Sequence, residues 1–124
     1  MATILIPHQT QVTARLELTA RFFRALGDPT RLRLLDHLLE GEKSVGELVG
    51  LVGSPQGRVS NHLSCLKQCG LVDTRREGKF IYYRIADDAM RRLLEVSQGI
   101  IASNAENIWA CTRVGPSQRG NEDG

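Results

Sequence analysis

The stretch SPQGRVSNHLSCLKQCGLV, Ser54 to Val72, decides how the rest of the chain is read. Pro55 and Gly70 bracket a helix-length segment, in keeping with proline's fit to a first helical turn and glycine's to a helix end. Val59, Leu63 and Leu66 recur at helical spacing and predict one buried stripe. Gln56, Arg58, Ser60, Asn61 and His62 crowd the other faces, mostly in the N-terminal half. Cys65 and Cys69 fall one turn apart near the C-terminal end, on the same side of the helix. Such a segment is either an ordinary amphipathic helix or one that carries both a polar reading surface and a thiol pair.

The sequence on either side favours the second reading. Gly50 to Pro55 is a turn, and before it Val45, Leu48 and Val49 mark a short helix. Ser44 caps that helix, and Glu47 completes a capping box. Further upstream, TRLRLLDHLLE (30–40) predicts a helix with Leu32, Leu35, Leu38 and Leu39 on its buried side. Asp28 is its N-cap, Pro29 its first position and Gly41 its stop. An earlier helix runs from Val12 to Leu26 on the stripe Val12, Leu16, Ala20, Phe23 and Leu26, while residues 1–11 have no period and are expected to form a flexible N-terminal arm. After Gly70, Leu71, Val72 and Thr74 lead into a strand, REGK (76–79) is a turn, and Phe80 to Ile85 is a second β-rich run. Helical spacing returns from Asp88 to Trp109, and residues 111–124 form a polar tail rich in Gly and Pro. Gly99 weakens the case for an unbroken last helix. The expected fold is mainly α with a β-hairpin wing: a dimeric winged helix-turn-helix over residues 12–110.

The chain of 124 residues suits one domain, and its 41% hydrophobic and 24% charged content is that of a folded protein. Aromatics make up only 5%, so aliphatic side chains must build the core. A signal peptide and membrane-length apolar runs are absent from the sequence pattern, so a cytoplasmic protein with no membrane partner is expected. The net charge of +2 is small but unevenly placed. Arg58, Lys67, Arg75, Arg76, Lys79 and Arg84 fall within 51–85 against only Asp73 and Glu77. A basic excess confined to the reading helix and hairpin points to nucleic acid, although a solvated basic hairpin has the same composition.

A helix fits the major groove, where Gln and Asn pair with adenine and Arg with guanine. Gln56 and Arg58 are the expected base-edge contacts; Ser60 and Asn61 suit base or phosphate. Arg75, Arg76 and Lys79 suit phosphate or minor-groove contacts, and Arg84 either supports the hairpin or joins an ion pair. His62 suits a phosphate contact or packing, with a place in a metal shell as the reserve. His37 reads as a partly buried residue of its leucine-rich helix.

Three cysteines cannot all pair within one chain, and thiols or metal ligands are the better reading than disulfides. The Cys65–Cys69 spacing alone is a weak signal, because buried cysteines often serve as small hydrophobes. Cys111, just past the last helix, supplies a third thiolate, and three thiolates suit a soft divalent ion. Zinc ordinarily takes a fourth ligand. The sequence holds no HExxH, P-loop or Gly-rich nucleotide motif, and no enzyme is expected.

FFRALGDPTRLRLLDHLLEG, SVGELV, VSNHLSCLKQCGLV and REGKFIYYRI, spanning about residues 20–105, together resemble the ArsR/SmtB family of metal-responsive repressors. The resemblance implies a homodimer that binds a pseudo-palindromic operator without metal and leaves it when metal binds. It also implies a dimer interface of first and last helices, with Phe22, Phe23 and Leu26 facing Leu93, Leu94, Val96, Ile100 and Ile101. The family's third-helix cysteine site is not matched, since Ser44, Val45 and Gly46 stand there. Its last-helix zinc site is not matched either: Asp87 is present, but no histidine follows His62. SNHLSCLKQCGL is similar to the family's actinobacterial cadmium/lead sensors, whose paired cysteines match Cys65 and Cys69 and whose third, C-terminal cysteine has Cys111 as its candidate here. The implied effector is therefore a thiophilic divalent ion, Cd(II)/Pb(II), with Hg(II) as the alternative from mercury-responsive relatives. A DNA-binding regulator controlled by thiol redox chemistry, or one without a metal effector, is the other reading.

Overall fold

Local signals in the sequence set most of the element ends in the computed structural model, which describes residues 8–111. The first helix, α1, spans His8–Leu26. It starts earlier than the apolar stripe at Val12 suggests, because 8–11 are polar and show no period, yet a formed helix extends cheaply into good helix formers. Residues 1–7 of the expected arm and 112–124 of the expected tail lie outside the described residues. Asp28 caps α2 (Pro29–Leu39), its carboxylate accepting from the N–H groups of Thr30 and Arg31 at 2.8 and 3.1 Å. The two-residue strand β1 (Lys43–Ser44) leads into α3 (Val45–Val52). Ser44 and Glu47 form the reciprocal capping box, and Gly53 closes the helix in the left-handed conformation at φ 76°.

The reading helix, α4, is Gln56–Gln68. Pro55 is its N-cap, just outside the first helical position. At the other end Gly70 has φ 78° and donates to Lys67 O, while Leu71 N–H reaches back to Leu66 O at 2.9 Å. This pair of bonds is a Schellman closure, which needs the positive φ that glycine takes without a Cβ penalty. The wing follows at once as β2 (Val72–Glu77) and β3 (Phe80–Ile85), antiparallel, with Glu77 opposite Phe80 and Val72 opposite Ile85. Gly78, φ 61°, takes the first of the two loop positions, where a tight hairpin turn requires positive φ. β1 pairs with the outer side of β3, giving a three-stranded sheet of order β1-β3-β2. Two residues are too short a run to show a strand period, so β1 is not legible in the sequence. The last helix, α5 (Asp88–Ala110), is capped by Asp87, runs unbroken through Gly99 and kinks at Asn104.

One core joins these elements. Val59, Leu63 and Leu66 of α4 are fully buried, as their spacing predicts, against Leu34, Leu35 and Leu38 of α2 and Leu48 of α3. Leu71, Val72 and Ile85 close it from the wing base, and Met90 and Leu94 from α5. On α2 the expectation needs correcting: Leu34 is buried and Leu32 is 43% exposed. Leu32 lies on the α5 side, lining a surface cavity with Leu94 and Ile101, whereas Leu34 joins the core shared with α4. Arg91 anchors α5 to the end of α2 through a 2.8 Å bond to Leu39 O. The two terminal helices keep apolar faces in the open: Leu16, Leu18 and Phe23 on α1, and Val96, Ile100 and Ile101 on α5. No described helix is long and apolar enough to cross a membrane.

Candidate DNA-reading surface and thiol pair

With Val59, Leu63 and Leu66 buried, helical geometry turns Gln56, Asn61 and Ser64 outward, all three exposed. Arg58 and Ser60 are half-buried. Gln56 and Ser60 line a cleft with Lys79, Phe80 and Ile81 of the wing and the start of α3. The reading helix and wing tip therefore share one concave surface of suitable chemistry for a nucleic-acid backbone and base edges.

Two of the expected contacts have other partners. His62 is buried at 9% exposure on the inner side of α4, and its Nδ1 lies 3.3 Å from Arg31 Nη1. The packing role weighed for it in the sequence is the one that the burial supports. Arg75 is exposed, but its guanidinium is already engaged. Nε donates to both oxygens of Glu42 at 2.8 Å, Nη2 lies 2.7 Å from Glu42, and Nη1 bonds Glu77 at 2.7 Å. It also stacks 4.7 Å from the Tyr82 ring centroid. These hydrogen bonds from Arg75 hold the Glu42 carboxyl below the usual carboxylate range. Arg76 and Lys79 are exposed on the same hairpin.

At the C-terminal end of α4, Cys65 is half-buried and Cys69 exposed, both as free thiols. One helical turn apart, they are joined by the backbone bond from Cys69 N–H to Cys65 O at 3.0 Å. Local burial of its sulfur pushes the Cys69 thiol above its ordinary pKa; the neighbouring Cys65 adds to this and the Arg31 charge opposes it. Two sulfur donors on one face, one turn apart, fit a thiophilic ion by donor chemistry. Among the described residues no three His, Cys, Asp or Glu side chains cluster. Thus neither Cys111, exposed at the end of α5, nor His62 completes a three-donor site with the pair within one chain.

Arg31 is the residue that sequence reasoning missed. Besides His62, it bonds Ala25 O at 2.6 Å and Arg24 O at 3.3 Å, so one guanidinium joins the end of α1 to the reading helix. Nothing in apolar periodicity marks it, because its role depends on contacts between elements.

Residues 28–74, from the α2 cap into β2, match the model of the arsR family of bacterial regulatory proteins. The probable mercury resistance operon repressor of Streptomyces lividans is 48% identical over 96 residues, covering 77% of each chain. The chain belongs to the arsR family. The regulator CmtR of Mycobacterium tuberculosis is 44% identical over 96 residues, covering 77% of this chain and 81% of its own. Among solved structures, the homodimeric winged helix-turn-helix DNA-binding domain of a possible ArsR-family regulator from Mycobacterium bovis matches with a TM-score of 0.73 and 34% identity. That match covers 86% of this chain and 95% of the other. As an arsR-family protein the chain is a winged-helix DNA-binding transcriptional regulator and not an enzyme.

Proposed function

We propose that this arsR-family regulator is a homodimeric repressor that holds a pseudo-palindromic operator in its metal-free form and leaves it when a thiophilic divalent ion binds. The observation that carries this reading is the placement of Cys65 and Cys69, one turn apart, at the C-terminal end of the helix whose other end carries Gln56, Arg58, Ser60 and Asn61. An ion bound at one end of a rigid helix acts directly on the orientation of the other. Gln56 and Arg58 read base edges, Ser60 and Asn61 support them, and Arg76 and Lys79 meet phosphates. His62, with its partner Arg31, sets the helix against α2 instead of touching DNA.

The exposed apolar faces of α1 and α5 support a dimer, as does the homodimeric relative from M. bovis. Two copies would place two reading helices on successive half-sites and give two ion sites. Cys111 completes each site from the partner subunit in this reading, since it does not reach the pair in its own chain. The name of the Streptomyces lividans relative favours Hg(II), while the sequence resemblance favours Cd(II) or Pb(II). The ion supplies bonds to thiolate sulfur; the chain contributes the thiols, their spacing and the helix that they move. Metal and DNA are then coupled ligands, so operator DNA must weaken metal affinity by the same factor as metal weakens DNA affinity.

Control by thiol oxidation draws less support. Sensor thiols are activated by a lowered pKa, and the environment of Cys69 raises it. The test is DNA affinity for a duplex selected from a random pool by the metal-free protein, measured with Cd(II), Pb(II), Hg(II) and without metal. Loss of affinity with one of these ions, abolished in Cys69→Ser, is expected. Unchanged affinity with the thiols saturated by all three overturns the proposal.

A further inference from the structure

Arg75 sits on the hairpin that carries the other wing cations, yet its charge is committed within the sheet. In the ladder it stands opposite Tyr82, and Tyr82 stands opposite Ser44, so one row crosses all three strands from β2 over β3 to β1. The Arg75 side chain follows that row. Its guanidinium lies 4.7 Å from the Tyr82 ring centroid, and Glu42, just before β1, takes Nε at 2.8 Å and Nη2 at 2.7 Å. Glu77, at the turn end of β2, takes Nη1 at 2.7 Å. All three guanidinium nitrogens thus face carboxylate oxygen, and Arg84, opposite Asp73, acts on Glu42 through space. Arg76 and Lys79 differ. Both are exposed, and among the described residues neither joins an ion pair. Lys79 Nζ lies beside an aromatic face instead, 5.5 Å from the Phe80 ring centroid.

We infer, on the reading in which the wing cations meet phosphates, that Glu42 and Glu77 hold Arg75 back from phosphate and so limit the wing's sequence-independent affinity for DNA. Carboxylate and phosphate take a guanidinium in the same paired geometry, so trading Glu42 for a phosphate exchanges like bonds and gains little. Arg76 and Lys79 approach phosphate from water, and counterions released from the DNA drive their contact. Stability does not account for the cluster. The Arg75 and Glu77 side chains are 43% and 66% exposed, and ion pairs open to water contribute little to folding. The consequence falls on non-specific binding, which consists almost wholly of phosphate contacts that carry no sequence information. A further free cation on the hairpin would lengthen the protein's stay on DNA of any sequence.

Affinity of the full-length protein for a mixed-sequence duplex and for the selected duplex is measured across salt concentrations, with circular dichroism to confirm folding. The double variant Glu42→Gln, Glu77→Gln is expected to bind mixed-sequence DNA more tightly, with a slope of log affinity against log salt steeper by about one. Its advantage should shrink about threefold between about 50 mM and about 200 mM salt. Glu77→Gln alone, a change at an exposed side chain that leaves the core untouched, should show part of the same gain. Removing carboxylates near DNA also relieves plain repulsion, so the same substitutions are repeated on Arg75→Ala, where most of the gain should vanish. No gain, or a gain of equal size without Arg75, overturns the inference. Arg76→Ala and Lys79→Ala separate it from the reading beneath it. If they lower the slope while the Glu variants show no Arg75-dependent gain, only the withheld cation is wrong. If they leave the slope unchanged, the wing does not meet phosphates and both readings fall.

Discussion

Arg31 Nη1 lies 3.3 Å from His62 Nδ1, joining α2 to the inner face of the reading helix. A guanidinium only donates, so His62 accepts here and its ring proton sits on Nε2. The same Arg31 holds the last carbonyls of α1 through Nε and Nη2. Arg31→Ala removes all these bonds around a buried imidazole and is expected to cost about 1–3 kcal/mol in chemical denaturation. Arg31→Lys should recover little, because an ammonium cannot reproduce the three-way planar fork.

The wing cations should differ in their effect on DNA binding. Removing one phosphate contact lowers the slope of log affinity against log salt by about one. Arg76→Ala and Lys79→Ala are each expected to show that change. Arg75→Ala should show less, since Glu42 and Glu77 already compensate its guanidinium. Salt titrations of operator affinity on the three variants check the order, and a full-sized drop for Arg75→Ala would contradict it.

Metal affinity should rise with pH. Binding displaces thiol protons, so below the thiol pKa each lost proton makes the ion weaker as acidity increases. Because its surroundings raise the Cys69 pKa, protons still compete there throughout the neutral range. Cd(II) affinity is expected to climb by up to about tenfold per pH unit for each displaced proton, followed by thiolate-to-metal absorption. A flat profile from about pH 6 to about pH 8 would mean that Cys69 is not a ligand.

The apolar faces of α1 and α5 supply a separate prediction. Ile100 is 58% and Phe23 54% exposed, and neither contributes to the core around Leu63. Ile100→Asp or Phe23→Asp should therefore yield a folded monomer with weak operator binding. Sedimentation velocity and circular dichroism read the two properties independently.

Legibility followed the range of the interactions involved. Val59, Leu63 and Leu66 announce their burial through spacing along one helix, and Asp28, Ser44 and Gly70 announce caps through chemistry within a few residues. The hairpin was readable because its turn and both strands are adjacent. What the sequence hid depends on contacts between distant segments. Leu32 and Leu34 are equally apolar, and only the packing of α4 and α5 against α2 decides which is exposed. In the sequence His62 suits either a phosphate contact or packing, and only the placement of α2 brings Arg31 to its ring. The thiol pair was legible as a pair because its spacing is that of one helical turn, whereas the exposure of each thiol depends on the packing around the end of α4.

Leu71 is a single residue with two backbone commitments: its N–H closes the end of α4 on Leu66, and its carbonyl accepts from Ala86 N–H just after the wing, at 3.1 Å. Its side chain is buried in the core between them. Such a residue works as an axle shared by two blades. In the proposed release, an ion that turns the chain at Cys69 would turn both the reading helix and the hairpin beside it, so DNA should be let go in one step, without an intermediate held by the wing alone.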